Sequence, residues 1–213
     1  VPLAGKPMVA WSIAAMRAAV CVRSIVIACP PGYVHDLGGH DADVVDGGAT
    51  RAQSVASALT AVGTELVAIH DAARPLVTPE LVEGVVATLV ANPDADGAIA
   101  ATPVNDTIKR ASRRQMKDSG PPGGHNASFA IESTVDRGQL WAAQTPQVFR
   151  VDAIRRALEV DPAQIDAATD EAMLIEAMGG RVLLHPSLPE NLKVTTPTDL
   201  RLAELLLSER SAQ

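Results

Sequence analysis

Aromatic side chains make up only 2% of this 213-residue chain. Trp11, Trp141, Tyr33, Phe129 and Phe149 are too few for a platform on which single-stranded bases could stack. Cysteine is equally scarce. Cys21 and Cys29 do not form C-x-x-C, and no His pair stands at metal-ligand spacing from them. That excludes a disulfide scaffold and a zinc module, and fits two free buried thiols in a reducing cytoplasm. Positive charge is short too: 18 Lys and Arg face 25 Asp and Glu, for a net −7. A broad basic face for a nucleic-acid polymer is therefore excluded, although a few placed cations can still dominate a pocket for a small anion. There is no apolar run of membrane-spanning length and no visible signal peptide. The five histidines form no H-E-x-x-H. G-x-S-x-G is missing, and no strand leads into G-x-G-x-x-G. A zinc protease, a serine hydrolase and a dinucleotide oxidoreductase are disfavoured accordingly.

What is present is an alternation of strands and helices in a chain that is 47% hydrophobic, enough for one sizeable α/β domain. Residues 6–19 carry Val9, Ile13 and Met16 at helical spacing. The β-branched run 24–29 and the segment 42–48, ending in two glycines, read as strands. A helix follows over 50–62 and a strand over 65–71. Thr78 is placed to cap the next helix, with Pro79 at its first position. Such alternation predicts crossover units on a mainly parallel sheet flanked by helices, with ligands at the carboxyl ends of the strands. Past residue 96 the pattern changes. Extended segments surround Pro103–Asp106 and the turn at 136–139, with a polar, Gly- and Pro-rich stretch over 113–128 that reads as a long mobile loop. We read the region as an arm projecting from the sheet. Helices return at 151–160 and 169–179, the latter with Thr169 as its expected cap, followed by strands 181–186 and 191–196. A last helix is capped by Thr196.

"AIHDAARPLV" (68–77) poses the functional question, because an apolar strand delivers Asp71 and Arg74 at its carboxyl end. A carboxylate there can hold Mg²⁺ against phosphate oxygens, or it can cap a turn. Arg74 offers a planar fork for phosphate, or a surface ion pair. His70 reads as a structural hydrogen-bonding residue of the strand. "DGGATRAQS" (46–54) can bring backbone close to a nucleotide, or can be a tight strand-to-helix turn. Thr107 and Lys109, expected on one side of a strand, join Arg137, Thr145 and Lys193 as further phosphate-binding types, each equally at home on a solvated sheet edge.

In chain order, "PLAGKPMVAWSI", "VVDGGATRAQSV", "VAIHDAARPLV", "TPVNDTIKRA", "TVDRGQLWAAQTPQVF", "ATDEAMLIEAMGG" and "NLKVTTPTDL" resemble the 2-C-methyl-D-erythritol 4-phosphate cytidylyltransferases. The match spans almost the whole chain. "HDAARP", and "QTPQ" with "TDEA" after it, are specific to this group and its ribitol-phosphate relatives. The resemblance implies a Rossmann-like α/β nucleotidyltransferase. It would be a single domain over 1–213, with a dimerisation arm over 104–146 that interlocks two subunits. The implied reaction joins CTP to methylerythritol phosphate with Mg²⁺ and releases pyrophosphate, in non-mevalonate isoprenoid synthesis in the cytoplasm. Carried over residue by residue, Arg137 and Lys193 position the substrate phosphate for attack. Gly48, Ser54 and Asp71 meet the nucleotide, with Asp71 also at the metal. Arg74, Thr107, Thr145 and Thr169 line the methylerythritol phosphate pocket. There are departures. The family opens with a strand and a Gly-rich loop carrying an Arg and a Lys, expected just before Val1, so the chain as given is expected to be incomplete and poorly active. Ala49 stands where the family often has an acidic residue, and the 113–128 loop is longer than usual. A ribitol 5-phosphate cytidylyltransferase and a non-catalytic nucleotide-binding or dimerisation module are the alternatives.

Overall fold

The structure, a computed structural model, describes residues 1–33, 42–115, 129–160, 165 and 167–211. It divides into two compact units, Val1–Ala101 with Ala143–Gln213, and Thr102–Ala142. The elements in chain order are β1 (Pro2–Leu3), β2 (Lys6–Pro7), α1 (Met8–Ala18), β3 (Val26–Cys29), β4 (Asp43–Asp46), α2 (Arg51–Leu59), β5 (Leu66–Ile69) and α3 (Pro79–Val90). They continue as β6 (Gly97–Pro103), β7 (Lys109–Gln115), β8 (Phe129–Thr134), β9 (Trp141–Arg150), α4 (Val151–Ala157), α5 (Glu171–Ala177), β10 (Val182–Pro186) and α6 (Pro197–Ser211).

In the larger unit a four-stranded sheet has the order β10-β6-β9-β5. Strand β10 runs parallel to β6, while β5 runs antiparallel to β9 with Ala68 opposite Val148. The parallel pair β3 and β4 forms a separate two-stranded sheet. The α/β architecture is the one the alternation implies, with a mixed sheet. The reason lies in β9, which pairs antiparallel with β5.

Side-chain alternation sorts the core into two layers. Ala98, Ala100 and Val148, with half-buried Leu66 and Ala68, pack on Val85 and Leu89 of α3. Their sequence neighbours Ile99 and Phe149, with Val67 and Ile69, face Ile154 of α4, Leu174 and Ile175 of α5 and Leu59 of α2. A strand buried on both faces loses its polar positions, which is why these segments read as continuous apolar runs. Phe149 is fully buried in a core otherwise almost free of aromatics. Gly97 makes room for it, since a Cβ there would lie 2.4 Å from the ring.

Local capping chemistry agrees with the sequence at several ends. Thr78 accepts from Leu81 N at 3.3 Å ahead of Pro79, and Thr196 accepts from Asp199 N at 3.2 Å; Thr50, read as the first residue of its helix, caps α2 by accepting from Gln53 N at 3.2 Å. Elsewhere the structure corrects the reading. The cap of α5 is Asp170 and not Thr169: its carboxylate accepts from Met173 N at 3.0 Å, where a negative charge also meets the positive helix end. Residues 191–196 form no strand; a bond from Val194 N to Ala73 O at 2.7 Å ties that stretch to the strand-end turn. Lys6 and Pro7 pair with Leu3 and Pro2, which delays the helix to Met8. His70 lies one residue past β5. Cys21 is exposed, and only Cys29 is buried.

The smaller unit is built on β7 and β8, which pair antiparallel with register shifts. Thr107 lies in the irregular stretch before β7, so it does not share a strand with Lys109. Of the expected loop, Arg113–Gln115 complete β7, and 116–128 lie outside the described residues. Among the described residues no helix is long and apolar enough to cross a membrane.

Candidate active site

Asp71 stands two residues past the carboxyl end of β5, and its carboxylate is held from both sides. Arg51 Nε from α2 lies 3.0 Å from one oxygen, and Lys193 Nζ lies 2.9 Å from the other. Arg51 is held in turn by Glu171, whose two carboxylate oxygens both sit 2.6 Å from Nη1. Glu171 is buried at 1% exposure, so the network runs from the open sheet end into the core. Burial pushes the Asp71 carboxyl up, but the hydrogen bond from Lys193 and the charge of Arg51 outweigh it and keep the group below its ordinary range. The Arg51 guanidinium loses to burial but gains more from Glu171 and Asp71, so its proton is held more firmly than usual.

The chain after Asp71 makes a turn closed by Arg74 N to Asp71 O at 2.9 Å. Three bonds from two segments grip it. Asn191 O accepts from Arg74 Nη1 at 2.8 Å, Val194 N donates to Ala73 O, and Asp71 N donates to Thr145 Oγ1 at 3.1 Å. Val194 therefore delivers Lys193 to Asp71. Asn191 is itself buried, donating to Gln144 Oε1 and Thr145 O at 2.9 Å each. Arg74 Nε is buried, with no hydrogen-bond partner among the described residues.

His70 sits beneath this turn, within reach of Arg74 O (3.1 Å) and Thr145 Oγ1 (3.0 Å). Burial lowers its pKa to about 4, against the opposing pull of the Arg74 carbonyl and the Asp71 carboxylate. The native imidazole is thus neutral where the unfolded one, near 6.5, already takes a proton. Stability from this group is complete above about pH 6.5, falls as the pH drops toward about 4, and levels off below. The loss is roughly 3 kcal/mol. Burial depresses His185 in the same direction. Urea unfolding at pH 7 and pH 4.5 checks this: His70→Gln is expected to lose less stability between the two than the wild type. Equal losses would contradict the assignment.

The double glycine makes a strand-to-helix turn. Gly47 N donates to Cys29 O at 2.7 Å, and Gly48 N donates to Ser54 Oγ at 3.1 Å. A Cβ on Gly48 would lie 2.2 Å from the Gln53 Cβ, so only glycine permits the approach. The Ser54 hydroxyl in turn donates to Thr50 O at 3.0 Å.

A cavity of about 890 Å³ runs along Val26–Ala28 of β3 and Leu66–Ile69 of β5. Its walls are aliphatic. Polar groups stand at both ends of it: Ser54, Arg51, His70 and Asp71 at the carboxyl ends of the strands, and Arg23, Ser24, Thr64 and Glu65 at the amino ends.

Of the residues singled out from sequence, the structure brings Asp71, Arg74, Thr145 and Lys193 together. It places Gly48 and Ser54 at the start of α2, the helix that supplies Arg51. Thr169 is exposed one residue before the cap of α5, the helix that supplies Glu171. Thr107 and Arg137 are exposed in the smaller unit, where Arg137 Nη1 donates to the Asn105 carbonyl. Sequence reasoning missed Arg51, Glu171 and Asn191. A signal existed for Glu171: Leu174 and Ile175 follow it at three and four residues, so it shares their buried face. Arg51 has the same relation to Ser54 and Val55.

Strand-end charges on an α/β sheet are how nucleotide-handling folds of this type are organised. The chain matches the crystal structure of 2-C-methyl-D-erythritol 4-phosphate cytidylyltransferase from Thermus thermophilus with a TM-score of 0.77 and 33% identity, over 97% of this chain and 92% of that one. The class is therefore a Rossmann-like α/β nucleotidyltransferase. The family model for IspD, 2-C-methyl-D-erythritol 4-phosphate cytidylyltransferase, matches residues 1–209. A relative of that name from Symbiobacterium thermophilum is 41% identical over 218 residues, covering 100% of this chain and 85% of its own. One from Synechococcus sp. (strain JA-3-3Ab) is 39% identical, over 98% of this chain and 88% of its own. The chain belongs to the 2-C-methyl-D-erythritol 4-phosphate cytidylyltransferase family.

Proposed function

We infer that the chain transfers a cytidylyl group from CTP to 2-C-methyl-D-erythritol 4-phosphate, a step of isoprenoid biosynthesis that we place in the cytoplasm. A phosphate oxygen of the acceptor attacks the α-phosphorus of CTP. The new bridging P–O bond forms as the bond to the β-phosphate oxygen breaks, and pyrophosphate leaves with the electron pair. The observation that carries this reading is the Arg51–Asp71–Lys193 cluster at the strand end, beside Arg74. Such a reaction needs no protein nucleophile; it needs two anions held together and their charge neutralised. Lys193 and Arg74 hold the acceptor phosphate, and the Arg137 that joins them belongs to the arm of a second copy. The backbone at Gly48 and the Ser54 side chain border the cytosine, Thr169 lines the acceptor's pocket with Thr145 buried beneath it, and Thr107 joins from the arm of a second copy.

Asp71 suits Mg²⁺. Its carboxylate is ionised, oxygen-only and at the open end of the sheet, and Mg²⁺ bound mainly by substrate phosphates needs only one or two carboxylates. When bound, the ion supplies charge neutralisation at the phosphates. Glu171 differs by its burial: at 1% exposure, with both oxygens on Arg51, it does not reach the open end.

The arm is the reading's route to a homodimer. Every residue of β8 is exposed, including Phe129 at 45% and Ile131 at 65%, apolar surface of the kind that a second copy covers.

The test is pyrophosphate release by the full-length protein with CTP and Mg²⁺, offered methylerythritol phosphate and ribitol 5-phosphate separately. Release with methylerythritol phosphate alone is expected. Release only with ribitol 5-phosphate would transfer the function to that substrate, and a folded protein silent with both would overturn catalysis.

A further inference from the structure

The turn that presents Asp71 and Arg74 has a buried group beneath it that the reaction does not use. His70 Nε2 faces Arg74 O at 3.1 Å. A carbonyl only accepts, so Nε2 carries the proton. Nδ1 is then a bare acceptor, and it takes the Thr145 hydroxyl proton at 3.0 Å. Thr145 Oγ1 accepts in turn from Asp71 N at 3.1 Å. Each group donates once, and the opposite tautomer would set two lone pairs against each other at Arg74 O. The chain therefore has one direction: Asp71 N–H to Thr145, Thr145 to His70, His70 to Arg74 O. It fastens both ends of one turn to β9, where Thr145 is 4% exposed. Ser12 Oγ adds a longer contact to the same Arg74 carbonyl at 3.4 Å.

We propose that His70 is a positioning residue for cytidylyl transfer, which fixes, through Thr145 and the Arg74 carbonyl, the turn from which Asp71 and Arg74 reach the substrates. The proposal rests on the reading of Asp71 as a nucleotide and metal contact. Neither His70 nor the Asp71 amide touches substrate; they set where the carboxylate and the guanidinium start from. A displacement of the order of an ångström at such groups lowers turnover by up to about 100-fold without abolishing binding.

The experiment measures kcat, and KM for each substrate, with melting temperature alongside. The variants are His70→Leu, His70→Gln, Thr145→Val, His70→Leu with Thr145→Val, and Asp71→Asn, all in the full-length protein. His70→Leu and Thr145→Val are each expected to lower kcat about 10- to 100-fold with KM changed by less than about threefold. The double variant is expected to be no worse than the worse single, because both cut one chain. His70→Gln keeps a donor for Arg74 O and should fall between wild type and His70→Leu. Multiplying losses in the double variant would overturn the proposal. So would a lowered melting temperature with unchanged kcat. A rise confined to the methylerythritol phosphate KM in Thr145→Val, with His70→Gln silent, would make Thr145 a plain substrate contact and also overturn it. Should His70→Leu fail to fold, His70→Gln and Thr145→Val still decide. Undiminished kcat in Asp71→Asn would sink the reading of Asp71 and this chain with it. Collapse of Asp71→Asn beside normal His70→Gln and Thr145→Val would sink this proposal alone.

Discussion

Replacing Lys193 by alanine is expected to lower kcat/KM about 100- to 1,000-fold while leaving the melting temperature within a few degrees of wild type. The two parts of that expectation have separate causes. Lys193 is 44% exposed, and its ion pair with Asp71 is one of two that the carboxylate makes. Without it, Arg51 still holds Asp71, no charge is left buried alone, and the stability lost is that of an exposed pair, about 1 kcal/mol or less. The substrates are affected quite differently. At the strand end Arg51, Arg74 and Lys193 set three positive charges against the two of Asp71 and Glu171. Removing one makes the corner neutral, just where the proposed reaction brings two phosphorylated molecules together. Lys193→Arg is expected to recover part of the loss, because the charge returns on a fork of different geometry. Turnover unaffected in Lys193→Ala, with a lowered melting temperature as the sole change, would make the lysine a structural partner of Asp71.

Much of the fold is legible in the sequence because its causes are local. Thr78 before Pro79, Thr50 before Arg51 and Thr196 before Pro197 cap their helices through bonds three residues long. Strands buried on both faces announce themselves as apolar runs. The errors have non-local causes. β-branched residues mark 191–196 as a strand, but a strand needs a ladder, and this stretch makes a backbone bond to a turn. Thr169 and Asp170 are both good caps, and the choice falls to the residue whose charge suits the helix end and whose carboxylate also accepts from Gln147. The direction of β9 shows in its pairing with β5, distant in sequence, which no periodicity reports.

The site divides in the same way. Asp71, Arg74, Thr145 and Lys193 were visible as residue types at strand ends, and the structure gathers them. What sequence could not say is what they hold when no substrate is near. Arg51 lies 20 residues before Asp71, and Glu171 lies 120 residues beyond Arg51, so no local pattern joins the three. Their function is to keep Asp71 charged and stationary inside a partly buried corner. That need becomes visible only once the burial of Asp71 is known.

Arg137→Ala is expected to be as damaging as Lys193→Ala, and mixing the two dead proteins is expected to restore activity. Arg137 is exposed in the smaller unit, and its guanidinium donates to the Asn105 carbonyl of the same unit. If two arms interlock, the Arg137 that serves one site belongs to the other subunit. A dimer of one Arg137→Ala chain and one Lys193→Ala chain then has one site with both residues intact and one with neither. Random exchange makes half of the dimers mixed, each with one of two sites working, so about a quarter of wild-type activity should return. Were Arg137 to act within its own chain, every site in every mixed dimer would carry one lesion and no activity would return. Co-refolding the two variants and measuring pyrophosphate release decides between them. The experiment reads the arm's partner and the role of Arg137 together, because recovery requires both.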